Sequence, residues 1–225
     1  MHSISHNVAS VRSCVVSAAR AAQRDPDEVC LIAVSKRQPA RAIEEAHGAG
    51  LKDFGENYLQ EALPKIAALG HLPLTWHFIG ALQSNKTRQV ARHFDWVHTV
   101  DRPKIARRLN EQCPDDKTLQ VCLQVNIDAD PGKAGVDPAA VADLLKELVD
   151  LERICVRGLM TILDPNADAP ESFARMAKLF AGLAPLAAGR WDTLSMGMSN
   201  DYEQAIMAGA THVRIGTAIF GAREG

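Results

Sequence analysis

The sequence lacks most of what marks the specialised classes of protein. Its 25 lysines and arginines do not outnumber its 27 aspartates and glutamates, and a net charge of -2 gives no basic surface for a phosphate backbone or an anionic membrane. No nucleic-acid or membrane partner is therefore expected. The five cysteines are odd in number, widely spaced and without a Cys-x-x-Cys pair of the kind structural zinc favours, so they read as thiols in a reducing compartment. The longest stretch free of charge, residues 66–85, contains His71, Pro73, His77 and Gln83 and is too polar to cross a bilayer comfortably. Residues 1–24 lack the basic-then-apolar order of a secretory signal, and a cytoplasmic location is expected. The eight histidines do not gather as metal ligands, and neither a Gly-x-Ser-x-Gly elbow nor a Walker loop occurs.

What is present is regular. Hydrophobic residues make up 47% of the 225 positions, enough for a continuous core in one large domain or two small ones. Eight β-rich apolar runs, at 31–35, 51–54, 74–79, 96–99, 119–126, 154–159, 193–196 and 212–215, alternate with amphipathic or Ala/Leu-rich segments. Several runs are almost wholly apolar, which favours parallel strands covered on both faces. Eight alternations without a Gly/Pro/Ser-rich linker predict an α/β fold, a single-domain (β/α)8 TIM barrel over residues 1–225. An open doubly wound sheet is the alternative, but Lys36-Arg37-Gln38-Pro39 stands where its Gly-x-Gly-x-x-Gly fingerprint would follow the first strand.

Local signals refine this picture. Val8, Val11, Val15, Ala18 and Ala22 form one face of an extra N-terminal helix, and little chain follows the last strand, so this helix is expected in the place of the eighth. Pro64 predicts a kink or break in a helix over 57–69. Asp137 and Pro138 start a helix whose apolar stripe is Val141, Leu144, Leu145, Leu148 and Val149. Phe173, Met176, Ala177 and Phe180 read as a face packed on the sheet rather than a cofactor box. Asn200 and Glu203 have the spacing of a capping box.

In such a barrel, functional groups stand at the C-terminal ends of strands, and phosphate is commonly held after strands seven and eight. There the sequence has Ser195-Met196-Gly197-Met198-Ser199-Asn200 and Arg214-Ile215-Gly216-Thr217, whose glycines and hydroxyls suit an anion. Lys36 ends the first apolar run and is expected at the mouth, beside those loops. A lysine amine next to a phosphate cradle points to a phosphorylated substrate or to a phosphorylated aldehyde held as a Schiff base. Taken singly, each feature also fits an ordinary turn, cap or solvated lysine, and His77 reads as a satisfied core histidine.

Together these residues resemble the YggS/PROSC family of pyridoxal phosphate homeostasis proteins. The resemblance rests on Ala33-Val34-Ser35-Lys36, Phe54-Gly55-Glu56-Asn57-Tyr58 with Gln60-Glu61, His77-Phe78-Ile79-Gly80 with Leu82-Gln83 and Asn85-Lys86, and Val125-Asn126. It continues through Lys133 and Gly135, Gly158-Leu159-Met160, residues 194–199, and Val213-Arg214-Ile215-Gly216 with Ile219-Phe220-Gly221. It implies a barrel like the alanine racemase N-terminal domain, with pyridoxal 5'-phosphate (PLP) as a Schiff base on Lys36. By the same resemblance Ser199, Gly216 and Thr217 hold the phosphate, Arg214 faces the pyridine nitrogen, and Asn57 and Met160 line the ring. One departure is Asp130-Pro131-Gly132 before Lys133, where the family commonly has glutamate.

The function implied is buffering PLP and delivering it to apo PLP-dependent enzymes, as a monomer and without turnover. An arginine at the pyridine nitrogen disfavours its protonation and makes a weak electron sink. The alternatives are a racemase-like PLP enzyme and a cofactor-free barrel enzyme acting on a phosphorylated metabolite. Against a racemase stands the expectation that the second catalytic base comes from a further domain, which 225 residues do not accommodate beside the barrel.

Overall fold

The computed structural model describes residues 3–187 and 189–221. Eight strands, β1 (Cys30–Val34), β2 (Asp53–Glu56), β3 (Thr75–Phe78), β4 (Trp96–Val100), β5 (Leu119–Gln124), β6 (Ile154–Met160), β7 (Thr193–Ser195) and β8 (His212–Ile215), pair in parallel and in sequence order. The last closes on the first, with Cys30 opposite His212 and Ala33 opposite Ile215, so the sheet is a barrel and not an open doubly wound sheet. Leu31, Ala33, Phe54, Val97, Val121, Val213 and Ile215 join helix side chains in one contiguous buried cluster. Each large apolar side chain withdrawn from water in this way contributes about 1.5–3 kcal/mol.

The helices are α1 (Ile4–Ala21), α2 (Ala40–Gly48), α3 (Leu59–Ala68), α4 (Thr87–His93), α5 (Pro103–Gln112), α6 (Val141–Leu148), α7 (Ala169–Leu183), α8 (Tyr202–Met207) and α9 (Thr217–Phe220). The N-terminal helix α1 packs against α8, α9 and α2, which is the place of an eighth barrel helix. It buries Val8, Val11, Val15 and Ala18, and its start is capped by Ser3, whose hydroxyl accepts the amide of His6. Asn7 Nδ2 donates to the carbonyl of Ile219 at 2.9 Å and ties α1 to α9. Replacing Asn7 with alanine is expected to cost about 1 kcal/mol, read as a lowered urea midpoint with unchanged slope.

Three local expectations change. The helix α3 runs unbroken across Pro64. Proline removes one bond, to the carbonyl of Gln60, and both residues are exposed, so water satisfies that carbonyl while Leu59, Ala62 and Lys65 pack inward. Val149 lies beyond α6 and is 39% exposed, so the stripe ends at Leu148. The Asn200–Glu203 capping box does not form; the Asp201 carboxylate instead accepts the amide of Met198 at 2.6 Å. Phe173 and Met176 on α7 are fully buried, as expected of a sheet-facing stripe.

The N-terminal end of the barrel is plugged. The Trp96 ring lies between the His77 ring, stacked at 5.6 Å, and the Arg157 guanidinium at 4.9 Å. Arg157 donates to both oxygens of Asp192, at 2.8 and 2.7 Å, and to Gln120 Oε1. Burial pushes the Asp192 carboxyl upward, but the Arg157 bonds and charge hold it below the usual range overall. With that end closed, the opposite end is left for a ligand.

Candidate functional site

A cavity of about 780 Å³ opens among the C-terminal ends of the strands. Its wall is built by Val34 at the end of β1 and Lys36 after it, Asn57 after β2, Ile79 after β3, Ile162 to Pro165 after β6, Met198 to Asp201 after β7, and Arg214, Gly216 and Thr217 at β8. Lys36, Asn57, Ser199, Arg214, Gly216 and Thr217, all expected from the sequence, are thus brought together. Met160 is not in this wall; it is fully buried at the end of β6, opposite Ser195 and Gln124.

Lys36 is half-buried in a turn closed by the amide of Gln38 on the carbonyl of Ser35 at 3.0 Å. The third residue of that turn, Arg37, has φ +61°, and its amide donates to Glu61 Oε2 at 2.9 Å. Beneath the turn lies a buried ionic cluster. Glu56 Oε1 accepts from Ser35 Oγ at 2.7 Å and from Lys65 Nζ at 2.8 Å, and Lys65 Nζ also donates to the Ser35 carbonyl at 2.9 Å. Burial keeps the Glu56 carboxyl above its usual range despite those donors. The cluster fixes the backbone from which Lys36 emerges. Lys65 was not legible as a site residue; its one signal is a lysine on the inward face of α3, in register with Ala62.

Arg214 is 4% exposed, and its guanidinium donates to Ser195 Oγ at 2.7 Å and to the Thr161 carbonyl at 2.8 Å. It makes no ion pair among the described residues. Burial lowers its pKa to about 10, with Asp201 acting in the opposite direction. Asn57 is held by close approach of Gly80, where a Cβ would meet the Asn57 carbonyl at 2.0 Å, and its buried Oδ1 has no hydrogen-bond partner among the described residues. The acids in the wall are engaged in loop structure, Asp201 with the Met198 amide and Asp164 with the Asn166 amide. Gly216 leaves room beside Val34, where a Cβ would sit 3.3 Å from the Val34 carbonyl. Such a pocket, with a primary amine, a buried cation with no ion pair and an amide oxygen with no hydrogen bond among the described residues, and small hydroxyl-bearing loops, suits a compact anionic ligand.

His77 is a core histidine, as the sequence reading favoured, with both ring nitrogens bonded. The five cysteines are all free thiols. No group of metal-ligating side chains and no helix long and apolar enough to cross a membrane occurs among the described residues.

Comparison with known proteins places this architecture. The family model of the alanine racemase N-terminal domain matches residues 2–224. The pyridoxal phosphate homeostasis protein of Pseudomonas aeruginosa is 54% identical over 225 residues, covering all of this chain and 97% of that protein. The structure of PipY from Synechococcus elongatus PCC7942 with PLP bound is 43% identical, covers 97% of this chain and 100% of its own, and superposes with a TM-score of 0.84. An alanine racemase from Corynebacterium glutamicum, 18% identical with a TM-score of 0.72, shares the fold over 98% of this chain and 60% of its own. By its sequence, its closed barrel and the residues gathered at the mouth, this chain belongs to the pyridoxal phosphate homeostasis proteins of the alanine racemase N-terminal domain family.

Proposed function

We propose that this protein binds PLP at the barrel mouth through Lys36 and serves to store the cofactor and hand it to apo-enzymes, without turnover of its own. The carrying observation is the convergence of Lys36, Arg214, Ser199, Gly216 and Thr217 on one cavity, in a chain 43% identical to a relative whose structure holds PLP. The residues fit the group. When bound, PLP supplies an aldehyde carbon that bonds reversibly to a primary amine. Lys36 offers that amine, Ser199 and Thr217 offer hydroxyl donors to the phosphate, the Gly216 segment offers space, and Arg214 and Asn57, in the same wall, would face the ring.

The wall also supports the absence of turnover. Among the described residues its titratable groups are Lys36, Asp164, Asp201 and Arg214, and both acids are tied into loop turns. Neither tyrosine belongs to the wall: Tyr58 is 46% exposed and Tyr202 is buried on α8. A racemase needs a second base opposite the lysine. Incubation with a panel of amino acids in deuterated water is expected to leave the α-hydrogen in place; exchange of any one would establish the racemase reading instead.

Delivery is tested by mixing the PLP-loaded protein with an apo PLP-dependent enzyme and following recovery of activity. The expected rate exceeds that with the same concentration of free PLP; an equal or slower rate would leave storage alone. Ser199→Ala is expected to weaken PLP binding about tenfold, the loss of one hydrogen bond to a charged group, and titration calorimetry reads it directly.

A further inference from the structure

The inside of the barrel holds a continuous chain of polar contacts that neither the packing nor the cofactor reading requires. Asp53 Oδ1 lies 3.0 Å from His77 Nε2, His77 Nδ1 lies 3.0 Å from His98 Nε2, and His98 Nδ1 lies 2.8 Å from Ser195 Oγ. Ser195 Oγ in turn lies 2.7 Å from Arg214 Nη1, in the wall of the cavity. His77, His98 and Ser195 are each 1% exposed or less. The chain therefore crosses the barrel from the N-terminal end of β2 to the mouth.

Its ends dictate its direction. A guanidinium only donates and a carboxylate only accepts. With Arg214 donating to Ser195 and His77 donating from Nε2 to Asp53, the remaining protons have one arrangement that leaves no donor without an acceptor. Ser195 donates to His98 Nδ1, and His98 donates from Nε2 to His77 Nδ1. Both rings are then neutral and carry the proton on Nε2. The opposite arrangement makes Ser195 accept from both sides and leaves its own proton without a partner in a dry interior, a costly outcome. Burial, followed by the nearby His77, His212 and Arg214, holds the His98 ring well below the usual imidazole range, in keeping with a neutral ring.

We propose that Asp53, His77, His98 and Ser195 form a one-way hydrogen-bond chain that positions Arg214 in the wall of the cofactor cavity, its direction set at the Arg214 end and its last proton accepted by Asp53 on the far side of the barrel. Bonds polarised in one direction reinforce one another, and two bonded nitrogens of the guanidinium, on Ser195 and on the Thr161 carbonyl, fix its plane. These are positioning residues. Ser195 is fully buried and ends on Arg214, so the chain is not a nucleophile relay.

The first test needs no ligand. Long-range nitrogen–proton correlation spectra of the free protein at neutral pH are expected to show His77 and His98 as neutral Nε2–H tautomers. An Nδ1–H tautomer or a doubly protonated ring at either residue would overturn the chain. Asp53 is partly exposed, so Asp53→Ala is a mild change for the fold. It removes the terminal acceptor; because Arg214 still makes Ser195 donate, His98 is expected to stay the Nε2–H tautomer while the His77 Nε2–H signal shifts, and an Nδ1–H tautomer of His98 in Asp53→Ala would overturn the direction of the chain.

The second test rests on the PLP reading. Ser195→Ala is expected to weaken PLP binding about tenfold and to shift the absorption maximum of the bound cofactor, while inorganic phosphate binds within twofold of the native protein. Unchanged affinity and spectrum would refute the positioning role. Should the native protein bind no PLP, the cofactor reading fails by itself and the histidine tautomers decide the chain.

Discussion

Lys36→Ala protein is expected to lose the near-visible absorption of bound PLP and to hold the cofactor on the order of a hundredfold more weakly, about 2.7 kcal/mol. The expectation follows from where Lys36 stands. It leaves a fixed turn at the end of β1 and reaches the same cavity as Arg214, Ser199 and Thr217. On the proposed reading, removing its amine would take away the one bond to the aldehyde end and would leave the contacts offered to the phosphate intact. Residual, weaker and spectroscopically silent binding is therefore the signature sought, by calorimetry and absorbance together. Undiminished affinity with an undiminished band would place the bond elsewhere.

Lys65→Ala is expected to destabilise the fold by about 3–5 kcal/mol, the usual cost of stranding one partner of a buried ion pair. The Glu56 side chain is 0% exposed, that of Lys65 is 11% exposed, and the two meet at 2.8 Å. Without the ammonium, Glu56 Oε1 keeps only the Ser35 hydroxyl, and Oε2 already has no partner. Chemical denaturation of Lys65→Ala against the double variant Glu56→Gln/Lys65→Met separates charge from packing. The double variant is expected to recover most of the loss, because no bare charge is left inside. Equal loss in both would assign the cluster to packing instead. Since Lys65 also holds the Ser35 carbonyl, Lys65→Ala loosens the Lys36 turn and weakens PLP binding as well.

The barrel was readable because its strands are short, apolar and evenly separated by helical segments. β8 falls on the expected residues, and the others lie within one or two positions, with β2 alone shifted by two at both ends. That strand is displaced to Asp53–Glu56 because Glu56, which looks like a loop residue, is buried by a lysine nine positions away on α3. Such pairing is a tertiary fact that no local pattern carries. The mouth was readable for a different reason: Lys36, Ser199 and Thr217 are polar residues just past strand ends that the packing does not need, and the fold brings them to one cavity. The polar interior was hidden by the apolar outer face of the same strands. Trp96-x-His98, Thr193-x-Ser195 and His212-x-Arg214 put a polar or aromatic side chain at every second position, the period of one strand face, and that alternation was the missed signal.

Borohydride reduction of the PLP-saturated protein, followed by peptide mapping, reads out whether PLP is held at Lys36. One stable adduct is expected, on the peptide containing Lys36, and none in Lys36→Ala. No adduct at all, or an adduct on another lysine with Lys36 unmodified, would contradict it.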